Sequence, residues 1–166
     1  MRLERLALAL LLAAGAAQAQ LTDLDPDWKE SEAPPPPALR TEGLIPLEIP
    51  RSSLRYGVDP QSIALGDDRI VRYVVVATGS GGAVNGLYEG LRCRTGEVKV
   101  YAHYLPGSGW SRVHDADWRP VRQPQSRHSL AIARNGACMG DSPNRSASQI
   151  VQDLRSPIDH RFELTR

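Results

Sequence analysis

The chain has 166 residues, 20 Lys and Arg against 19 Asp and Glu, and 5% aromatic residues. That length accommodates one domain plus a tail and excludes a large multidomain protein. With a single Phe (Phe162), the core must be built from Val, Ile, Leu and Ala, with a few Tyr and Trp.

The first nineteen residues have the pattern of an export signal. Arg2 and Arg5 give a positive start, residues 6–14 are apolar, and Ala17-Gln18-Ala19 offers the small-x-small exit used by signal peptidase. Gln20 is the expected new N-terminus. The apolar run is too short for a membrane anchor, which needs about 20 apolar residues. No Cys follows it, so lipid attachment there is excluded. No later stretch is long and apolar, so the expected mature protein is soluble and periplasmic, with the outside medium as the alternative address. Two cysteines, Cys93 and Cys138, in an exported chain point to one disulfide.

Residues 20–43 are expected to be a disordered, acidic, proline-rich arm. Between 20 and 48 there are seven acids against two cations, net −5; from 49 onward there are sixteen cations against eleven acids, net +5. The run Pro34-Pro35-Pro36-Pro37 favours a stiff extended spacer, and little apolar surface is available to offset ordering. Such an arm should be removable at little cost in stability. Trp28 is the exception, a large aromatic among acids, suited to anchor a partner or the chain's own body.

Order is expected from 44 on, as a single globular domain spanning 44–166. Leu44-Ile45-Pro46-Leu47-Glu48-Ile49 alternates like a strand, with prolines suited to a sheet edge. Short apolar pieces follow, split by Pro60, and Gly66-Asp67-Asp68 is a turn. Residues 70–78 carry the highest β-branched density and predict a central strand. Gly79-Ser80-Gly81-Gly82 links it to a second long strand over 84–94, which carries Cys93. Val98, Val100, Ala102 and Tyr104 then alternate with polar neighbours as a half-buried strand. After Pro106 the pattern loosens, with Trp110 and Trp118 bracketing a polar segment. Residues 128–134 predict one or two helical turns closed by Asn135-Gly136, and Ser146-Ala147-Ser148-Gln149 resembles a capping box before a short helix stopped by Pro157. The fold class is α+β or mainly β: an antiparallel meander of four to six strands with one or two short C-terminal helices.

Taken together, Asp27-Trp28-Lys29-Glu30, the spacer, residues 62–73, Tyr88-Glu89-Gly90-Leu91-Arg92-Cys93, Lys99-Val100-Tyr101-Ala102 and Trp118-Arg119-Pro120-Val121 form an ordered set. In this order the chain resembles the CNP-like family of bacterial envelope proteins. The resemblance covers roughly 28–138 and implies an exported single-domain protein; it brings no activity with it.

No combination of residues stands out as a catalytic, cofactor-binding or metal site, and none is expected. Cys93 and His103, like His128 and Cys138, are ten residues apart, whereas zinc ligands usually pair at closer spacing. His114, Asp115 and Asp117 could supply a base from a polar loop, but loop Asp residues usually cap turns. The glycine loop at 79–82 lacks the Lys-Ser/Thr of a phosphate loop, and no Gly-x-Ser-x-Gly elbow exists. Glu89 alternates with Leu87 and Leu91, so it should point inward and need a partner, with Arg92 or Arg72 as candidates. Arg119, Arg122, Arg127 and Arg134 form a basic cluster without the interleaved aromatics of a nucleic-acid platform. The two readings that follow are a non-enzymatic module meeting an envelope protein or other anionic partner through Trp28, Arg119, Arg122 and Arg127, and a small hydrolase using the loop His and Asp or Glu89.

Overall fold

The computed structural model describes residues 27–156. The expected export signal with its expected cleavage point, residues 20–26 of the arm, and Pro157 with the chain beyond it lie outside the described residues. The elements are β1 Ile45–Leu47, β2 Arg55–Val58, β3 Ala64–Leu65, β4 Val71–Thr78, β5 Val84–Arg92, β6 Glu97–Leu105, β7 Gly109–Arg112 and β8 Arg119–Pro120. A 3-10 turn then leads into helix α1 (Arg127–Ile132), a π-helical turn (Ala133–Ala137), the small hairpin β9 (Cys138–Met139) and β10 (Ser142–Pro143), and helix α2 (Ala147–Arg155).

Strands β1, β2, β4, β5, β6 and β7 lie side by side in that order, every pair antiparallel, while β3 adds to β4 and β8 to β6. The fold is therefore an antiparallel meander with two short helices late in the chain, as the sequence predicts. The expected central strand is β4, and all but its last residue, Thr78, are buried. An antiparallel sheet with one wet face would show alternation. Continuous burial means that both faces are covered.

One face is covered by the helical segment. Val71, Tyr73 and Val75 pack with Leu91, Val98, Ile132, Ile150 and Leu154. Helix α2 starts as the capping box predicts, Ser146 Oγ accepting from the Gln149 N–H at 3.2 Å. Gly136, at φ 149°, lets the π-helical turn lie against α2; a side chain there would meet Asp153 Cβ at 2.6 Å. The disulfide Cys93–Cys138 ties this layer to the sheet, with Cα atoms 5.6 Å apart and 45 residues between them in sequence. Cys93 sits one residue past β5 rather than inside it. Closing a loop of this length is worth about 4 kcal/mol on chain-entropy grounds.

The other face carries Val74, Val76, Tyr88 and Ala102, and packed against them are Ala33, Leu39 and Leu44. Ala33 and Leu39 belong to the segment expected to be disordered. Instead, residues 28–43 cross the sheet as an extended strap without strand pairing. The reason is local chemistry that composition does not register. Trp28 Nε1 donates to the Asp68 carbonyl at 2.9 Å, and Trp110 Nε1 donates to the Pro37 carbonyl at 2.8 Å. Arg40 pairs with buried Asp59 at 3.0 Å. Glycines make room for the strap layer: a Cβ on Gly86 would meet Leu39 at 2.7 Å, and one on Gly90 would collide with the Tyr101 ring. The ordered domain thus begins before residue 44.

Candidate functional site

Glu89 has the most demanding environment in the described chain. It is 2% exposed, directly opposite Tyr73 of β4 in the β4–β5 register. Burying a carboxylate is costly unless every lone pair finds a donor. Here Tyr73 Oη donates to Oε2 at 2.9 Å, Ser129 Oγ donates to Oε2 at 3.0 Å, and His128 Nε2 lies 2.8 Å from Oε1. Helix α1 supplies the last two side chains. His128 also stacks on Tyr56 of β2, with ring centres 5.3 Å apart and planes 9° apart.

Burial works against charge on both members of the pair, yet each overcomes it through the other. Burial would raise the Glu89 pKa; the His128 charge and the hydrogen bonds from His128, Tyr73 and Ser129 bring it below the usual carboxylate range. Burial would lower the His128 pKa, and the Glu89 carboxylate lifts it above the usual imidazole value. Tyr73 is pushed well up by burial and by the neighbouring Glu89 charge, so its phenol keeps the proton it donates.

The inward position of Glu89 agrees with its alternation, but its partners are neither Arg92 nor Arg72. Arg92 is three residues along the same strand and so faces the opposite side. Arg72 sits across from Gly90, on the strap face. There it holds Asp68 at 2.6 Å and donates to the Ser31 carbonyl at 3.1 Å. The sequence signal that would have found His128 and Ser129 is weak: two polar residues on the inward side of a short helix 39 and 40 positions away.

Glu89 and His128 form part of the lining of a cavity of about 400 Å³, and His103, His114, Asp115 and Asp117 also line it. His114, Asp115 and Asp117 are themselves exposed. Ser129 and His128 both bond Glu89, so no Ser–His contact exists among them by which the imidazole would take the hydroxyl proton, as a nucleophilic triad requires. The sulfurs of Cys93 and Cys138 are spent in the disulfide. Among the described residues no group of three or more His, Cys, Asp or Glu is placed to hold a metal ion, and no helix is long and apolar enough to cross a membrane.

The expected partner-binding residues separate. Trp28 is bound by its own domain: besides the Asp68 bond, its ring lies 3.6 Å from the Arg92 guanidinium carbon and meets Trp118 edge-on at 6.4 Å. Next to it, Glu30 accepts from Lys99 Nζ at 2.9 Å, Tyr101 Oη at 2.8 Å and Trp118 Nε1 at 3.1 Å. Tyr101 reaches the strap because the β5–β6 register shifts between Tyr88 and Glu89, leaving it as the extra residue of a bulge. Arg119, Arg122 and Arg127 remain exposed, with Arg127 donating to the Pro50 carbonyl at 2.8 Å.

No curated protein and no solved structure matches the chain. A family model does, over residues 23–155, which takes in the strap, the whole sheet, both cysteines and both helices. The chain therefore belongs to the CNP1-like family.

Proposed function

We propose that this protein is an exported, periplasmic, non-enzymatic binding module that meets an anionic envelope partner through exposed arginines. The observation that carries the reading is the saturation of Glu89: the buried acid is held by Tyr73, Ser129 and His128 together, so this cluster supports the fold and leaves no free base. Export is supported by the leader pattern at 1–19 and by a disulfide suited to an oxidising compartment. Arg119, Arg122 and Arg127 supply the solvent-facing planar donors that carboxylates and phosphates bind.

A second reading draws on the cavity of about 400 Å³ that places the loop residues His114 and Asp117 with Glu89 and His128: a small hydrolase. One set of measurements separates the two. Mature protein beginning at Gln20 is immobilised, exposed to periplasmic extract at low and high salt, and compared with the triple variant Arg119→Gln, Arg122→Gln, Arg127→Gln. The binding reading expects a salt-sensitive partner that the triple variant loses. Equal capture by both forms rejects that surface. Turnover of chromogenic esters that disappears in His114→Ala or Asp117→Ala would install the hydrolase in its place.

A further inference from the structure

Where the strap enters the domain, Trp28, Arg69, Arg92, Arg94, Asp141 and Pro143 line a cleft of about 330 Å³. Three of the lining residues are arginines. Asp68 also borders the cleft, but its carboxylate is used up by Arg72 and by the Ser31 and Ile70 N–H groups. Asp141 is then the one acid left against three cations, a local excess of positive charge. Gathering like charges is unfavourable unless a counter-ion joins them.

The arginines are also presented in usable form. Arg92 sits over the Trp28 ring, its guanidinium carbon 3.6 Å from the ring centre, a cation–π contact that holds the side chain beside the cleft. Arg69 is held at φ 65°, a left-handed conformation that glycine adopts more easily. The turn from Gly66 to Arg69, closed by the Arg69 N–H bond to the Gly66 carbonyl at 2.9 Å, fixes that residue at the rim. Among the described residues, the side chains of Arg69, Arg92 and Arg94 form no ion pair of their own.

We infer that this cleft is a binding site for a small doubly charged oxyanion, a phosphate or a dicarboxylate, gripped by Arg92 and Arg94 with Trp28 as the floor. The inference deepens the binding-module reading. It rests on residues other than Arg119, Arg122 and Arg127, so the two tests fail separately.

The test is calorimetric titration of the mature full-length protein with inorganic phosphate and, in parallel, succinate at constant ionic strength, with the Trp28 indole N–H followed by NMR. At least one of the two anions is expected to saturate with a Kd of about 1 mM or tighter, and the tighter one identifies the chemistry. Arg92→Gln together with Arg94→Gln should weaken that binding about tenfold or more, since charge-assisted bidentate bonds are lost. Arg94→Gln alone, at an exposed position, serves if the double variant fails to fold. Arg119→Gln with Arg122→Gln should bind as wild type. Two results overturn the inference: no saturation by either anion, or saturation unchanged in the cleft variants.

Discussion

The two faces of the central sheet are covered by different means. On the helical face, α1, the π-helical turn and α2 bring Ile132, Ala137, Ile150 and Leu154 onto β4 and β5, and a disulfide fastens them. On the other face the cover is a single extended segment without backbone pairing to the sheet, held at intervals by Trp28, Glu30, Leu39 and Arg40. The helical cover works by periodic apolar contact, the strap by separate polar anchors whose partners are already fixed in the body. Both leave β4 dry, which its continuous β-branched run requires. A segment can therefore be poor in apolar residues and still be part of the core, provided that the sheet beneath supplies the apolar surface.

Removing the strap gives the largest expected effect. Deleting residues 20–40 uncovers Val74, Val76 and Tyr88, each large side chain worth about 1.5–3 kcal/mol of burial. It also leaves Asp59 without its Arg40 partner. The thermal midpoint should fall by about 10 °C or more, if the remainder folds at all. An unchanged midpoint would show that the strap is incidental and that the second face tolerates water.

On the helical face the corresponding break is Glu89→Ala. It strands a histidine, a tyrosine and a serine together in a buried site. Breaking a buried pair by removing one partner costs about 3–5 kcal/mol, read from urea unfolding. Glu89→Gln keeps the shape and one accepting oxygen for Tyr73 and Ser129, with an NH2 that can donate to a neutral His128 ring, and should cost less. A loss under about 1 kcal/mol for Glu89→Ala would mean that water reaches the pair through the adjoining cavity and replaces the carboxylate.

The contrast between the faces also explains what was legible in the sequence. Residues 70–78 announce a central strand because β-branched side chains crowd there, and Ser146 with Gln149 announces a helix start because that cap is local. Of the strap only Trp28 was legible, as a residue suited to anchor the chain's own body. Its anchors at 28, 30, 37 and 40 follow no helical or strand period, and their partners lie 19 to 88 residues away. Counting apolar residues along the arm missed the surface waiting on β4 and β5. Strands β7 and β8 were obscured for a related reason, since they are short pieces defined by pairing with β6 rather than by their own alternation. For Glu89, alternation was enough to turn it inward; the same alternation, applied to Arg92 three residues on, would have ruled that partner out. Finding His128 needed the packing of α1.

The smallest expected effect is a dependence on pH confined to the helical face. Glu89 is held below its ordinary value of 4.5 and His128 above its ordinary value of 6.5, in each case against burial and through the opposite charge. A carboxyl with a lowered pKa in the fold adds stability above its unfolded value, lost as pH falls through the folded value. An imidazole with a raised pKa adds stability that is complete below its unfolded value and is lost as pH rises through the folded one. The contributions overlap in full between about pH 4.5 and 6.5. Tyr73 stays protonated across this range, being pushed upward by burial and by Glu89. The acid limb is shared with the strap face, where bonds from Arg72, Ile70 and Ser31 outweigh burial and hold Asp68 low. The alkaline limb is therefore the discriminating one. Urea midpoints should decline from pH 5.5 to pH 8.5 in wild type and stay level over that interval in His128→Gln, whose amide neither gains nor loses a proton. A wild-type midpoint level from pH 5.5 to pH 8.5 would mean that His128 titrates alike in the folded and unfolded chain, and one that rises would mean that it is neutral in the fold. In either case the bond to Glu89 would be an ordinary hydrogen bond, and charge pairing would be a property of the strap face, through Arg40–Asp59 and Lys99–Glu30.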